Sequence, residues 1–370
     1  MMAKKIACGP SKAVTERLSE CRRQLKAAKA DALLLSFNVD YFYLAGFTGT
    51  ESAVIVTPRD VHIISDGRFL EEIAVEVPWA RAWIRKGVLN DEIVRACTEL
   101  KIKKLAVQPG RFTVGDQAEL QRRVKKMQIQ LAPPITEKMR RLKSAEELAA
   151  LDKAIRVAED AFRATLQTIR VGQTELEMAA RIEYEMKRRG ASAPAFETIC
   201  AEGANGAVPH AVPGMRKAKK GSAVLFDWGA KVAGYNSDLT RMVFVGSIPR
   251  KIGEIYRIVL DAQEAAVAAV QPGSRMCDVD VVARKIITDA GYGKEFTHGL
   301  GHGLGLEVHE APSLSWRSDE KLVPGMVVTV EPGIYIPGVG GVRIEDDVLV
   351  TPKGNRVLTH LSKSLDAAVI

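Results

Sequence analysis

The chain has 370 residues, 46% of them hydrophobic and 26% charged, with a formal net charge of +8. The length exceeds one ordinary domain, and the composition is that of a folded globular protein, excluding fibrous and intrinsically disordered classes. The basic residues fall in short groups, such as Arg122-Arg123 with Lys125-Lys126, Lys187 to Arg189 and Lys217 to Lys220. Groups of this size are ordinarily solvated faces, so no nucleic-acid partner is expected.

Two lysines near the N-terminus are followed by only a few apolar residues, far short of a signal-peptide core, and no later stretch approaches a membrane span. The five cysteines, Cys8, Cys21, Cys97, Cys200 and Cys277, show no CxxC spacing. They argue against a disulfide framework and a thiolate metal site and favour a reducing compartment, so a cytoplasmic location is expected.

An amphipathic stretch from Val14 to Lys29 opens the chain, followed by the apolar runs Ala32 to Leu35, Ala53 to Val56 and Val61 to Ile64. A helical pattern over Asp91 to Leu100 precedes the run Leu105 to Val107. This alternation predicts an α/β domain with a mixed sheet over residues 1–137. Pro133-Pro134 breaks the pattern, and the basic segment ending at Lys143 reads as a linker to a second domain over residues 138–370.

Ser144 with Glu147, and Thr174 with Glu177, are capping boxes that open two helices, the second ending near Gly190. Strand patterns follow at Ala223 to Phe226 and Leu239 to Val245. The order then repeats: helical patterns over residues 251–271 and 277–290, each closed by glycine, then strand patterns at Met326 to Val330 and Val342 to Val350. Two helices followed by strands, twice over, predict a duplicated α+β unit whose site lies where the halves meet.

Each repeat carries a carboxylate pair. Asp227 closes one apolar run and Asp238 opens the next, with Gly229 and Gly234 between them, a hairpin-like arrangement that brings both onto one face. Glu331 and Glu345 repeat the pattern around Pro332-Gly333 and Gly338 to Gly341. A single strand-end Asp is more often a turn residue, but carboxylates on apolar strands are expensive to bury without a cation, and two divalent ions would neutralise four of them. Three of the six histidines, His298, His302 and His309, share one glycine-rich segment. Four carboxylates and an imidazole make an oxygen-rich shell suited to Mn(II), Co(II), Fe(II) or Zn(II).

The motifs Phe226-Asp227-Trp228-Gly229, Ser237-Asp238-Leu239-Thr240-Arg241, the histidine segment, Val330-Glu331-Pro332-Gly333-Ile334-Tyr335 and Val342-Arg343-Ile344-Glu345-Asp346 resemble those of the pita-bread metallopeptidases. The likeness is to the Xaa-Pro branch, containing aminopeptidase P and prolidase, with creatinase and methionine aminopeptidase more distant. Asn38 to Tyr41, Leu44 to Gly49 and Ser65 to Arg68 resemble the creatinase-like N-terminal domain.

The resemblance implies two divalent metals, Mn(II) first among the candidates. Asp227 would hold one metal and His302 with Glu331 the other, while Asp238 and Glu345 bridge them. A water or hydroxide between the metals would be the nucleophile and Glu331 the proton acceptor. His210, His298 and His309 would bind substrate and stabilise the tetrahedral intermediate, and Arg343, also among the substrate-binding positions, would help orient groups around the site. It also implies a homodimer acting on short proline-containing peptides, since an Xaa-Pro bond has no N–H to grip and needs a specialised site.

Aminopeptidase activity is favoured, with the Xaa-Pro dipeptidase as the alternative. A creatinase-like hydrolase fits less well with an intact ligand set, and methionine aminopeptidase usually lacks the preceding domain. A catalytically dead protein- or RNA-binding module would have lost ligands. Lys217, Lys219 and Lys220 read as exposed loop charges rather than as a carboxylate site.

Overall fold

The computed structural model describes residues 9–124 and 126–370, so Cys8, Lys125 and the N-terminal lysines lie outside the described residues. The chain divides into one compact unit ending at Arg140 and another running from Arg141 to Ile370. Among the described residues no helix is long and apolar enough to cross a membrane, and Cys21, Cys97, Cys200 and Cys277 are buried free thiols.

The first unit holds strands β1 (Ala32–Leu35), β2 (Ala53–Val56), β3 (Val61–Ser65), β4 (Arg81–Ile84), β5 (Lys104–Val107) and β6 (Gln128–Leu131). They form one mixed sheet in the order β4-β3-β2-β1-β5-β6. Its helices are α1 (Lys12–Ala27), α2 (Asn38–Ala45), α3 (Leu70–Glu76), α4 (Leu89–Glu99), α5 (Val114–Arg123) and α6 (Ile135–Arg140). The central strands β1 and β2 are buried along their whole length, which is why they read as continuous apolar runs. The edge strands β4 and β6 are partly exposed, β4 with a short apolar stretch bounded by arginines and β6 with alternating glutamines, and left no such mark.

The linker expected between Pro133 and Lys143 is instead largely the helix α6, and the boundary expected after residue 137 falls inside it. Gln108 and Thr136 bond side chain to side chain at 2.8 Å, and Arg140 pairs with the buried Asp40 at 3.3 Å. Those buried polar partners hold the segment in the first unit, and a count of prolines and lysines could not reveal them.

The second unit opens on α7 (Ala145–Leu166) and α8 (Glu175–Arg188), and both predicted capping boxes are formed. Strands β7 (Ala193–Pro194), β8 (Ile199–Glu202), β9 (Ala223–Trp228), β10 (Ala230–Val232), β11 (Tyr235–Asn236) and β12 (Leu239–Phe244) follow. The second pass supplies α9 (Arg250–Ala269) and α10 (Met276–Asp289). Its strands are β13 (Gly301–Gly303), β14 (Glu310–Leu314), β15 (Val327–Val330), β16 (Gly333–Ile336), β17 (Gly340–Arg343), β18 (Asp346–Thr351) and β19 (Gly354–Val357). This is the duplicated α+β arrangement expected.

The first helix pair packs on the strands of its own half, whereas α9 of the second pair also packs on those of the first. Phe162 of α7 stacks on Trp228 of β9 at 4.3 Å between ring centroids, and the indole N–H donates to the Ala158 carbonyl at 3.0 Å. Tyr256 of α9 meets Phe244 of β12 edge to face, and both belong to a core shared with Val328, Val330, Ile334 and Val342. The two halves are therefore one body with a continuous apolar interior, and the polar cluster described next is set into it.

Candidate active site

Strand register places the first carboxylate pair. β9 and β12 run antiparallel with Asp227 opposite Thr240, and Asp238 lies two residues before Thr240, so the pleat turns all three side chains to one face. The turn between them is longer than a simple hairpin: β10 and β11 form a small ribbon that pairs with β7. In the second half β15 and β18 are antiparallel with Val330 opposite Asp346, which leaves Glu331 and Glu345 facing each other one step further on. The strand expected from Val342 to Val350 is broken at Ile344-Glu345, because β17 pairs with β16 and β18 with β15. Glu345 thus stands where the chain changes sheets.

His302 enters from the short strand β13, between β14 and β15, at a register shift that re-aims the side chain. Its flanking glycines are steric requirements: a Cβ on Gly301 would lie 2.0 Å from the Thr329 carbonyl oxygen, and one on Gly303 2.4 Å from that of Ala311. In that position the His302 Nε2 is 3.1 Å from Glu331 and 3.7 Å from Asp238. Donor atoms of Asp238, His302 and Glu345 all lie within 4.8 Å of one another. Asp227 Oδ1 is buried with no hydrogen-bond partner. A bare carboxylate oxygen beside such a donor set is the signature of a cation site, so these residues fit a divalent metal.

Above the cluster lies a cavity of about 1180 Å³, whose wall includes the exposed His210 and His309 and the half-buried His298. Sequence comparison now bears on it directly. Residues 149–352 match metallopeptidase family M24, and residues 17–142 match the creatinase/prolidase N-terminal domain. The chain belongs to metallopeptidase family M24. It is 38% identical over 335 residues to the Xaa-Pro dipeptidase of Pyrococcus horikoshii, covering 90% of this chain and 94% of that one. The Xaa-Pro dipeptidase structure from Bacillus anthracis superposes with a TM-score of 0.92 at 37% identity, covering 96% of this chain and all of the other. The X-Pro aminopeptidase structure from Thermotoga maritima gives 0.87 at 34% identity, covering 94% and 100%. The fold is accordingly the pita-bread fold of M24 preceded by a creatinase-type domain.

The M24 cluster is electrostatically tense. Burial, reinforced by the neighbouring carboxylates, pushes the Asp238 and Glu345 carboxyls well above the usual carboxylate range. Burial also raises Asp227, against the opposing charge of Arg343. Burial pushes Glu331 the same way, but the hydrogen bond and charge of His302 outweigh it and bring the carboxyl down to about 2. Burial depresses His298 and His309, which keeps both imidazoles neutral near pH 7.

Arg343 is the hub of the polar contacts around the cluster. It is buried, and its guanidinium donates to Asp227 Oδ2 at 2.5 Å, Tyr335 Oη at 2.8 Å, Thr240 Oγ1 at 3.0 Å and the Pro209 carbonyl at 3.4 Å. These bonds hold Asp227, Thr240 and Tyr335 in place around the cluster, and Arg343 also lines the cavity.

Three further residues enter the site. Thr240 bridges Arg343 and Glu345, donating to Glu345 Oε2 at 2.7 Å. Tyr335 links Arg343 to His298, whose Nε2 lies 2.9 Å from its hydroxyl. Asp347 accepts from the Asp238 backbone N–H at 3.4 Å, and its other oxygen has no partner. Two-residue alternation from Asp238 points to Thr240; nothing in the sequence singles out Asp347. The lysines Lys217, Lys219 and Lys220 are exposed, as expected of loop charges.

Proposed function

We propose that this protein is a metal-dependent Xaa-Pro peptidase, and specifically a dipeptidase, with two divalent ions held by Asp227, Asp238, His302, Glu331 and Glu345. The convergence of these five side chains under one cavity, with a bare Asp227 oxygen among them, is the observation that carries the reading. In it Asp227 would hold one ion and His302 with Glu331 the other, and Asp238 and Glu345 would serve both; Mn(II) is the first candidate, with Co(II), Zn(II) and Fe(II) also suited. Bound ions of this kind acidify water and offset charge developing on a scissile carbonyl. Glu331, ionised and fixed by His302 and the Thr329 hydroxyl at 3.0 Å, takes up the proton of the attacking water. His210 and His309 orient the substrate and stabilise the tetrahedral intermediate from the cavity wall, and His298, its ring held between the Gly299 carbonyl and Tyr335, shapes the substrate side of the site.

Aminopeptidase activity was the sequence-based preference. Relatives named Xaa-Pro dipeptidase, at 38% identity and at a TM-score of 0.92, support the dipeptidase instead. A homodimer in the cytoplasm belongs to the same reading, and the buried free thiols suit a reducing compartment.

The test is hydrolysis of Ala-Pro and Ala-Pro-Ala by chelator-treated protein after re-addition of Mn(II), Co(II) or Zn(II). Metal-restored cleavage of the dipeptide alone is expected. Cleavage of the tripeptide returns the aminopeptidase reading, and cleavage of neither overturns the proline specificity.

A further inference from the structure

Glu345 stands between β17 and β18, outside the pairing ladders of both strands. A side chain at such a break needs support that the ladders do not supply. Here the support comes from β12. The Glu345 N–H donates to the Thr240 carbonyl at 3.3 Å, and the buried Arg241 guanidinium donates to the Glu345 carbonyl and, at 3.0 Å, to that of Thr240. The same guanidinium pairs at 2.7 Å with Asp346, the residue that follows Glu345.

Asp346 is itself the centre of a second polar cluster. It is buried, and its carboxylate accepts four hydrogen bonds. Oδ1 takes Arg241 and the Thr359 hydroxyl, both at 2.7 Å, and Oδ2 takes the buried Gln263 amide at 2.9 Å and the Lys363 ammonium at 2.6 Å. Lys363 also donates to Gln263 Oε1 at 2.7 Å, and its carbonyl accepts from the Tyr256 hydroxyl at 2.9 Å. Between Thr359 and Lys363, the Leu361 carbonyl accepts from Arg241 at 3.0 Å. Residues 358–363, which leave β19 without forming a helix or strand, are thus fastened to the peptide next to Glu345.

One cation is enough to neutralise a buried carboxylate, and Asp346 has two. With Lys363 and Thr359 fixing Asp346, the Arg241 guanidinium can divide its bonds between that carboxylate and the Glu345 carbonyl. Among the described residues, neither Asp346, Gln263, Thr359 nor Lys363 lines the cavity, so this cluster acts only through the backbone that carries Glu345. We infer, building on the metallopeptidase reading, that Lys363 and Thr359 latch the segment after β19 onto Asp346 and so set Glu345 in its metal-holding position. They are positioning residues of the metal centre, and partners that orient a ligand from behind ordinarily govern metal affinity.

The experiment titrates Co(II) into chelator-treated wild type, Lys363→Met, Lys363→Arg and Thr359→Val, against a competing chelator. Affinity is read together with the visible d–d absorption of the bound ion, which follows its coordination geometry. In K363M and T359V the affinity is expected to fall roughly tenfold with a changed absorption band, and K363R should recover part of both. The Lys363 side chain is 21% exposed, so its replacement does not open the core; if K363M nevertheless fails to fold, T359V decides the matter. Melting temperature of the metal-free proteins is read alongside. A lower melting temperature with wild-type Co(II) affinity and absorption would make the latch merely structural and overturn the inference. So would a K363R protein no better than K363M. Those outcomes leave the metallopeptidase reading standing, whereas a wild type that takes up no Co(II) overturns that reading and the inference with it.

Discussion

Replacing Thr240 with valine keeps the shape of a fully buried side chain and removes one hydroxyl. That hydroxyl donates to Glu345 at 2.7 Å and accepts from Arg343 at 3.0 Å, and the strand register sets it opposite Asp227. Thr240→Val therefore leaves a carboxylate and a guanidinium each short of one charge-assisted bond in a buried setting. Bonds to charged groups contribute about 1.5–3 kcal/mol each, and a metal neutralising Glu345 offsets part of the loss. We expect metal affinity to fall roughly 10- to 100-fold, the usual effect of removing a partner that orients a ligand. Stability of the metal-free fold should drop by about 2 kcal/mol. Competition between the protein and a chromophoric chelator reads the first quantity and urea unfolding the second. Thr240→Ser, which keeps the hydroxyl, should retain most of the affinity. A T240V protein that takes up metal as tightly as wild type would refute the claim that this hydroxyl organises the site.

Asp238→Asn should abolish hydrolysis and reduce bound metal, because a neutral amide cannot replace the charge of a shared carboxylate; full activity with full metal content would sink the two-metal assignment. His309→Ala should lose most turnover while retaining metal, since its ring packs 4.3 Å from that of His302 without joining the donor cluster; metal loss measured by atomic absorption would place it among the ligands. The raised carboxyls of Asp238, Glu345 and Asp347 stabilise the metal-free fold below about pH 4, and that contribution is lost as pH rises through their elevated values. Metal binding should accordingly release protons, and the metal-induced rise in melting temperature should widen from pH 5 to pH 8; calorimetry giving the same enthalpy in buffers of different ionisation heat would contradict this. Lys143→Met removes the ammonium that meets Glu310 at 2.5 Å in a pair with side chains only 1% and 3% exposed, and should cost about 3 kcal/mol in urea unfolding.

Where one face or one period dominates, local pattern was enough. The apolar runs that became β1, β2, β3 and β5, and the capping boxes of α7 and α8, follow from side-chain burial and from donors satisfied within three residues. The doubled order of helices and strands was legible for the same reason. The edge strands β4 and β6 and the helix α6 were not, because short, partly exposed edges carry no sustained apolar run and α6 is held by Gln108 and Asp40 from distant parts of the chain.

The candidate site divides along the same line. The chemistry of the donors, four carboxylates and an imidazole framed by glycines, is a property of residue types and spacing, and the sequence by itself determined it together with the family. Which oxygen stays bare, that Arg343 bonds to Asp227, Tyr335 and Thr240, and that Lys363 meets Asp346 were decided only by the tertiary structure. Hydrogen-bond saturation depends on partners far apart in the chain, 116 residues between Asp227 and Arg343 and 134 between Pro209 and Arg343, and only the folded register of two half-units brings them together.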